Sequence, residues 1–295
     1  RLFIDTYGLQ DGLTPDVPIE QITLTVNPAY RYGGNLTEDE LWIRFREDTM
    51  MELISYAIGC LMGRYSLDAS GLIYAHSGNE GFDLSRYPTF AADDDGIVPL
   101  TDTEWFEDDA CLRLVEFISV AWDETHLEDN LTFLAENLSP KNNESSRETL
   151  RRYLCNNFFK DHMKTYKKRP IYWLFSSGKE KAFQCLVYLH RYNGGTLSRM
   201  RMEYVVPLQS RLTARVEHLD GDIASASSSA NQNKLQKEKN KINKQREELA
   251  LFDEKLRHYA DQRITLDLDD GVKVNYGKFG DLLAEVKAVT GKKPN

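Results

Sequence analysis

The segment that decides the predicted fold is Arg169-Pro-Ile-Tyr-Trp-Leu-Phe-Ser-Ser-Gly-Lys179, together with the run Ala182-Phe-Gln-Cys-Leu-Val-Tyr-Leu-His-Arg-Tyr192 that follows it. Both pieces are mainly apolar, and a Ser/Gly/Lys turn separates them, which is typical of two paired and buried strands. The basic and aromatic cluster Lys164-Thr-Tyr-Lys-Lys-Arg169 comes directly before the first run, and a long helical tract follows the second. We therefore expect a small sheet near the middle of the chain, with basic residues at its edge.

Composition limits the class of protein. The chain has 295 residues, of which 41% are hydrophobic, so it can bury a real core, and its length suggests about two domains. The cysteines form no Cys-x-x-Cys pair, which argues against a zinc site or a disulfide framework and favours a reducing cytoplasm. We find no signal peptide or membrane-length apolar run and expect a cytoplasmic protein without membrane contact. The chain begins at Arg1 with an apolar stretch, and we expect it to be a piece of a longer protein.

Charge is distributed unevenly along the sequence. Residues 1–150 contain 9 Lys/Arg and 29 Asp/Glu, a net charge of −20, whereas residues 151–215 contain 14 and 3, a net charge of +11. A basic block in an acidic protein is the pattern of a polyanion-binding surface. It is equally the pattern of an internal counter-surface for the acidic half. The sequence leaves both interpretations open.

The first half of the chain is predicted to be an acidic, mainly helical lobe over residues 1–138, with an irregular excursion at 67–98. The alternation of Ile22–Val26 predicts a half-buried strand. Thr37 and Glu40 have the spacing of a capping box and begin a helix. We expect Thr101 or Asp102 to cap a later helix. A polar linker follows, and residues 148–195 form a basic α/β core that contains the strands and an amphipathic helix from 150 to 166.

The second half of the chain is predicted to begin with an antiparallel helical hairpin over residues 196–262. Its return helix places Leu235, Ile242, Leu249 and Leu256 seven residues apart, as in a coiled-coil seam. In residues 263–295, two alternating runs flank Asp270-Gly271, which predicts a tight β-hairpin before a short terminal helix. The expected fold class is α+β and mostly helical.

Motifs for catalysis are few. Asn27-Pro-Ala-Tyr30 resembles the Asn-Pro-Pro-Tyr motif of amino-methyltransferases, but one proline is missing and no glycine-rich cofactor loop occurs, so we interpret it as a chance match. Ser176-Ser-Gly-Lys179 lacks the glycine of a phosphate loop. Asp93-Asp-Asp-Gly96 has the wrong spacing for a calcium loop and is predicted to be a solvated turn. We expect no catalytic residue, bound cofactor or metal in this chain, and we expect the isolated chain to be inactive.

The basic block remains as the candidate functional region, since its cations are interleaved with aromatic residues. Lys and Arg neutralise phosphates, and aromatic rings stack on exposed bases. The alternative for the aromatic residues is a place in the core. The candidate DNA-binding residues are Arg151, Arg152, Lys164, Lys167, Lys168, Arg169, Lys179, Arg191, Arg199 and Arg201.

Five segments of the chain resemble a known family. They are Phe3-Ile-Asp-Thr-Tyr-Gly-Leu-Gln10, Ile54-Ser-Tyr-Ala-Ile-Gly-Cys-Leu-Met-Gly-Arg-Tyr-Ser-Leu-Asp68, Tyr166-Lys-Lys-Arg-Pro-Ile-Tyr-Trp-Leu-Phe-Ser-Ser177, Tyr188-Leu-His-Arg-Tyr192 and Leu268-Asp-Asp-Gly-Val-Lys-Val-Asn-Tyr276. These segments, in this order, are similar to the C-terminal part of the PglX/BrxX family, the adenine-specific DNA methyltransferases of BREX phage-defence systems.

The resemblance implies an intact enzyme that transfers a methyl group from S-adenosylmethionine to adenine N6 in double-stranded DNA. It places the cofactor loop and the Asn-Pro-Pro-Tyr motif outside the part matched here, so no catalytic residue is carried over. The chain would then be the DNA-recognition and clamping portion, which also acts as a scaffold. The alternative is an interaction module that docks other BREX proteins without reading DNA.

Overall fold

The computed structural model describes residues 1–293, which divide into two compact units, residues 1–52 and residues 53 onward. Helices dominate both units, and the second also contains a small antiparallel sheet, so the predicted α+β, mostly helical class is confirmed. No helix within the described range has both the length and the apolar character needed to cross a membrane. The finer division into four segments stays a prediction.

The sheet forms where the two apolar runs predict it. Strand β2 (Tyr172–Ser176) pairs antiparallel with β3 (Gln184–Tyr188), and Tyr172 lies opposite Tyr188. A third strand, β1 (Ile97–Pro99), pairs with the other edge of β3 and gives the order β1-β3-β2. The irregular excursion predicted over residues 67–98 from its Gly, Pro, Ser and Asp content is wrong at its end, where β1 begins at Ile97. The three strands are almost entirely buried, as a central sheet covered by helices must be.

The first unit consists of α1 (Leu2–Tyr7), α2 (Pro28–Tyr32) and most of α3 (Glu38–Leu61), which continues into the second unit. The capping box is confirmed, since the Glu40 carboxylate accepts the Thr37 N–H at 2.8 Å. The predicted strand at Ile22–Val26 is wrong. Leu24 is 66% exposed and Val26 is 50% exposed, and no strand of the described residues pairs with this segment. An alternating pattern without a partner strand leaves its main-chain groups unpaired, so the segment forms turns instead.

Helices α4 (Ala110–Ala121), α5 (Leu127–Glu136), α6 (Ser146–Tyr153) and α7 (Phe159–Thr165) lie between β1 and β2 in the chain, and a π-helical turn (Leu154–Phe158) joins the last two. The predicted cap of α4 at Thr101 or Asp102 is wrong. Asp109 caps this helix by accepting the Cys111 N–H at 2.9 Å. The Thr101 hydroxyl donates to the Thr103 carbonyl and lies within hydrogen-bond distance of the same Asp109 carboxylate. It therefore does not cap the helix, and Asp109 does.

The antiparallel helical hairpin is confirmed. Helix α8 (Thr196–Arg199) and a π-helical segment (Met200–Val205) lead into α9 (Val206–Ser225), and α10 (Ser229–Asp261) returns along it. Arg201 forms an ion pair with Asp253, and Arg215, which lies later in the chain, pairs with Glu238, which lies earlier than Asp253. This order is the one expected for two antiparallel helices. Leu249 and Leu256 are fully buried in the seam between the helices. We call α9 and α10 together the arm.

The tail after the arm is helical, with α11 (Gly271–Gly277) and α12 (Val286–Thr290). The predicted β-hairpin around Asp270-Gly271 is therefore wrong. The Asn275 amide donates to the carbonyls of Asp267 and Gly271, a contact that fixes a helical turn. The same turn buries the rings of Tyr276 and Phe279 completely against Trp173 of β2. Packing of these aromatic rings overrides the alternation of the smaller residues around them.

Candidate nucleic-acid interface

The turn Tyr166–Arg169, which we call the basic turn, connects the end of α7 to the start of β2. Lys167 and Lys168 both have left-handed backbones, with φ of 49° and 61°. The Lys168 N–H donates to the Met163 carbonyl at 2.7 Å, which closes the helix end. A left-handed conformation costs a non-glycine residue about 1–2 kcal/mol. Two adjacent lysines therefore occupy positions that backbone preference alone would give to glycine or asparagine.

His162 holds the basic turn in place. Its Nε2 atom accepts the N–H groups of Ile171 and Tyr172, both at 3.1 Å, and so ties the start of β2 to α7. Burial lowers the pKa of His162 to about 3, and the charge of Arg64 lowers it in the same direction. The imidazole is therefore neutral at physiological pH. The turn is fixed by a neutral acceptor, which leaves the positive charge of its side chains uncompensated.

Exposed cations follow α7 into the basic turn. Five of them are exposed and lie beyond 4 Å of any carboxylate in residues 1–293: Lys160, Lys164, Lys167, Lys168 and Arg169. Lys160 belongs to this row, although it was not among the candidates. At the other end of the row, the Lys181 ammonium donates to the Cys155 carbonyl at 3.0 Å. Burial lowers the pKa of Lys181, and the charge of Lys160 lowers it further.

Three other candidate arginines are held by internal carboxylates. Arg151 donates to Asp109 at 2.9 Å, Arg152 donates to Glu144 at 2.8 Å, and Arg201 pairs with Asp253 at 2.7 Å. The first two contacts are those of an internal counter-surface for the acidic half, to which Asp109 and Glu144 belong, whereas Asp253 lies on α10. Arg199 is exposed and lies 3.6 Å from Glu203. The basic block is thus divided between structural arginines and a row made mostly of free lysines.

Arg191 requires a correction, because it was a candidate for DNA contact and is only 1% exposed. Its guanidinium donates to the main-chain carbonyls of Asp93 and Asp94 and lies 3.6 Å from the centroid of the Phe82 ring. It therefore holds the Asp93–Gly96 loop against the sheet. A phosphate of a nucleic acid cannot reach a side chain at this depth.

The Asp93–Gly96 loop itself was predicted to be a solvated turn, and this is wrong, since Asp93 and Asp95 are buried. Their carboxylates are used locally: Asp93 accepts the Gly96 N–H and Asp95 accepts the Ile97 N–H. Burial raises the pKa of Asp93 well above its ordinary value, and the neighbouring Asp95 charge raises it further. The loop is a structural element next to β1.

The turn between β2 and β3, residues 177–182, carries Lys179 at an exposed position. Glu248 of α10 reaches this turn and accepts three hydrogen bonds, from the Ser177 hydroxyl at 2.7 Å and from the N–H groups of Glu180 at 2.7 Å and Ala182 at 3.2 Å. We call this turn the clamped turn. Sequence reasoning missed it, because Glu248 lies 66 residues or more from the groups that it binds.

Asn27-Pro-Ala-Tyr30 is the start of α2. The Asn27 side chain accepts the Ala29 N–H at 3.0 Å and donates to the Ile22 carbonyl at 2.9 Å, so both ends of its amide are occupied. Pro28 stands at the first position of the helix, where its missing N–H does no harm. The residues of the tetrapeptide thus serve as a helix cap.

Comparison with known proteins identifies the relatives of the chain, although no family model matches it. The chain is 59% identical over 284 residues to the adenine-specific methyltransferase BrxX of Escherichia coli O9:H4 (strain HS), which covers 93% of this chain and 24% of that protein. It is 40% identical over 281 residues to the adenine-specific methyltransferase PglX of Lacticaseibacillus casei (strain Zhang), covering 94% of this chain and 22% of that protein.

The chain therefore spans about a quarter of the length of the curated relatives that it matches. Both alignments include nearly all of the chain, from the first unit to the tail. The resemblance that the five quoted segments predict is confirmed, and the chain is homologous to a part of the PglX/BrxX adenine-specific methyltransferases.

Proposed function

We propose that this chain is the DNA-recognition, clamping and scaffold portion of a site-specific adenine-N6 methyltransferase of bacterial phage defence. The observation that carries the proposal is the basic turn, where Lys167, Lys168 and Arg169 are exposed, adjacent and without a carboxylate partner within the described residues. A cluster of free cations on a folded surface favours binding to a polyanion. The relatives are named as adenine-specific methyltransferases, and we therefore take the polyanion to be DNA.

The rigidity of the basic turn supports a role in clamping. His162 and the main-chain bond from Lys168 to Met163 fix the backbone, so the side chains start from a defined position. Contacts to phosphate place a protein on the duplex without reading its sequence. Lys160 and Lys164 lie four residues apart on the preceding helix and extend the same row. The row would therefore position the DNA, and other residues of the protein would read the bases.

We place methyl transfer outside this chain. The intact protein would bind S-adenosylmethionine, and the chain would supply no catalytic group, because the amide of Asn27 is already used in a helix cap. In an adenine methyltransferase that amide position must be free to accept from the flipped base. Isolated chain mixed with DNA and labelled S-adenosylmethionine should yield no labelled DNA, and any transfer above background would contradict this assignment.

The DNA proposal is tested by replacing Lys167, Lys168 and Arg169 together by alanine. Binding of duplex DNA should weaken about equally for specific and non-specific sequences. The slope of log affinity against log salt should become shallower by roughly 0.9 for each phosphate that the variant no longer neutralises. A matched control replaces Lys234, Lys237 and Lys244, three exposed lysines of the arm. Unchanged affinity and slope in a folded triple variant would reject the proposal.

A second candidate function is the docking of other BREX proteins. The observation that favours it is the first unit, where Leu2, Phe3 and Tyr7 of α1 are 75%, 74% and 72% exposed. An apolar patch of this kind marks protein interaction surfaces. Replacing the three residues by serine should abolish association with purified BREX proteins in sedimentation experiments and leave DNA binding intact. If the folded variant still associates with those proteins, docking through α1 is rejected and DNA clamping alone is favoured.

A further inference from the structure

A groove of about 620 Å³ lies between the end of α10 and the tail. Helix α10 forms one wall, and α11 and α12, with the residues that follow them, form the other. The polar side chains that line it include His258, Gln262, Lys273, Lys278, Lys292 and Lys293. No aspartate or glutamate is among the described residues that line it. The groove is thus polar and positively charged, in a segment whose overall charge is balanced.

The free cations of the groove are Lys273, Lys292 and Lys293. All three are exposed, and none has a carboxylate within 4 Å in the part of the chain that the structure describes. Lys278 is partly satisfied, since its ammonium donates to the Asn275 side chain at 2.8 Å and lies 3.7 Å from Asp270. On α10, Lys239 and Lys255 pair with aspartates, whereas Lys234, Lys237 and Lys244 are exposed and form no ion pair among the described residues. What distinguishes the groove is that three unpaired lysines line one concave space.

The walls of the groove are fixed to each other. Gly280 has a left-handed backbone, with φ of +52°, and the Tyr259 hydroxyl lies where a Cβ atom would clash with it. Only glycine allows this approach of the tail to α10. Lys255 pairs with Asp281, and the buried Phe279 packs on Trp173 and Phe175 of the sheet. The lysines consequently surround a preformed space.

We propose that this groove binds the phosphodiester backbone of DNA, as a second anchor separate from the basic turn. The inference rests on the proposed function, which makes DNA the polyanion of this chain. Three lysines that line the groove, together with the imidazole of His258 and the amide of Gln262, provide donors for the oxygens of phosphate. A polar groove that is open to solvent suits a chain of phosphates passing through it. The two anchors belong to different elements, α7 and the tail, so each is tested separately.

The test replaces Lys273, Lys292 and Lys293 by glutamine in the intact protein, with Lys234→Gln, Lys237→Gln and Lys244→Gln on the arm as the charge-matched control. Binding of a fluorescent duplex is titrated with NaCl. The groove variant should bind roughly tenfold more weakly at moderate salt, and its salt slope should be shallower by about 2–3, because each neutralised phosphate contributes about 0.9 to the slope. The control should retain the slope of the unmodified protein. Inorganic phosphate is titrated against both variants as a second probe.

The outcomes separate the two proposals. If the groove variant binds DNA normally while the alanine variant of the basic turn does not, this inference fails and the proposed function stands. If both variants bind normally, both fail. If the groove variant loses affinity for inorganic phosphate alone, the groove is a site for a small anion, and the assignment to DNA is overturned. Equal loss in the groove variant and the arm control would reduce the effect to net charge and reject a specific site.

Discussion

The two turns at the ends of β2 are fixed in opposite ways. The basic turn before the strand is held by His162, a neutral acceptor that belongs to the adjacent helix. The clamped turn after the strand is held by Glu248, a carboxylate that belongs to the distant arm. Both turns contain lysine, but only the clamped turn has a negative charge bound to its main chain. The net positive charge of each turn therefore depends on whether the side chain that accepts its main-chain hydrogen bonds is neutral or negatively charged.

The same contrast explains why one turn is a candidate for binding and the other for stability. A carboxylate bound beneath the basic turn would oppose the approach of a phosphate, whereas a neutral imidazole does not. At the clamped turn, the Glu248 carboxylate joins the arm to the sheet.

The largest expected effect is at the clamped turn. Glu248→Ala removes one charged acceptor from three donors and leaves two N–H groups without that partner, which should destabilise the fold by about 3 kcal/mol. Denaturant unfolding measures the loss. Glu247→Ala, at the exposed neighbouring position, should change stability by no more than about 0.5 kcal/mol. Equal effects of the two substitutions would show that the clamp contributes nothing specific.

The effect at the basic turn should depend on pH. His162 has a folded pKa of about 3, below its ordinary value of 6.5, so the unfolded state takes up a proton first as the pH falls. The stability supplied by the neutral imidazole is fully present above about pH 6.5 and should fall by about 2 kcal/mol at pH 5. His162→Gln does not titrate, so its stability relative to the natural protein should rise as the solution is acidified. Parallel pH profiles would show that His162 does not fix the turn.

The smallest effect on stability, but a large one on binding, is expected from Lys167→Gly combined with Lys168→Gly. Glycine relieves the cost of the left-handed backbone in the folded state. Glycine also raises the conformational entropy of the unfolded chain, which cancels part of this stabilisation, so the free energy of unfolding should change by less than about 1 kcal/mol. DNA affinity should nevertheless fall, because two ammonium groups that would neutralise phosphate are removed. Lys164→Gly, which lies within α7, should instead destabilise by about 0.5–1 kcal/mol. A strongly destabilised double-glycine variant would mean that the lysines serve the fold.

Sequence periodicity predicted the elements that long apolar patterns define. The two strands of the central hairpin and the arm emerged because their apolar residues repeat over enough positions to exclude other structures. The alternation at Ile22–Val26 and around Asp270-Gly271 predicted strands that do not form. A strand requires a partner for its main-chain groups, and neither segment has one among the described residues. Strand β1 was missed for the reverse reason: its partner β3 lies almost ninety residues later, and its own sequence is too short to carry a pattern.

The candidate site was predictable only in part. Adjacency of Lys167, Lys168 and Arg169 shows that three cations cannot all be buried, so the basic turn emerged directly from the sequence. The internal partners of Arg151, Arg152 and Arg191 could not be predicted from the sequence. Folding brings them together from distant positions: Asp109, Glu144 and the carbonyls of Asp93 and Asp94. The lysine groove depends on the tail folding back on α10, and the incorrect β-hairpin prediction hid it.

The strand order β1-β3-β2 has a consequence for biosynthesis. Val98 of β1 pairs with Leu186 of β3, the middle strand, which is made last. At about 5–20 residues per second, a ribosome needs roughly 5 to 20 s to extend the chain between these partners. During that interval the Asp93–Gly96 loop also lacks Arg191, the residue that anchors it. A nascent chain arrested before Tyr188 therefore has an unpaired edge, and we expect it to be a target for chaperones or proteases until the middle strand leaves the ribosome.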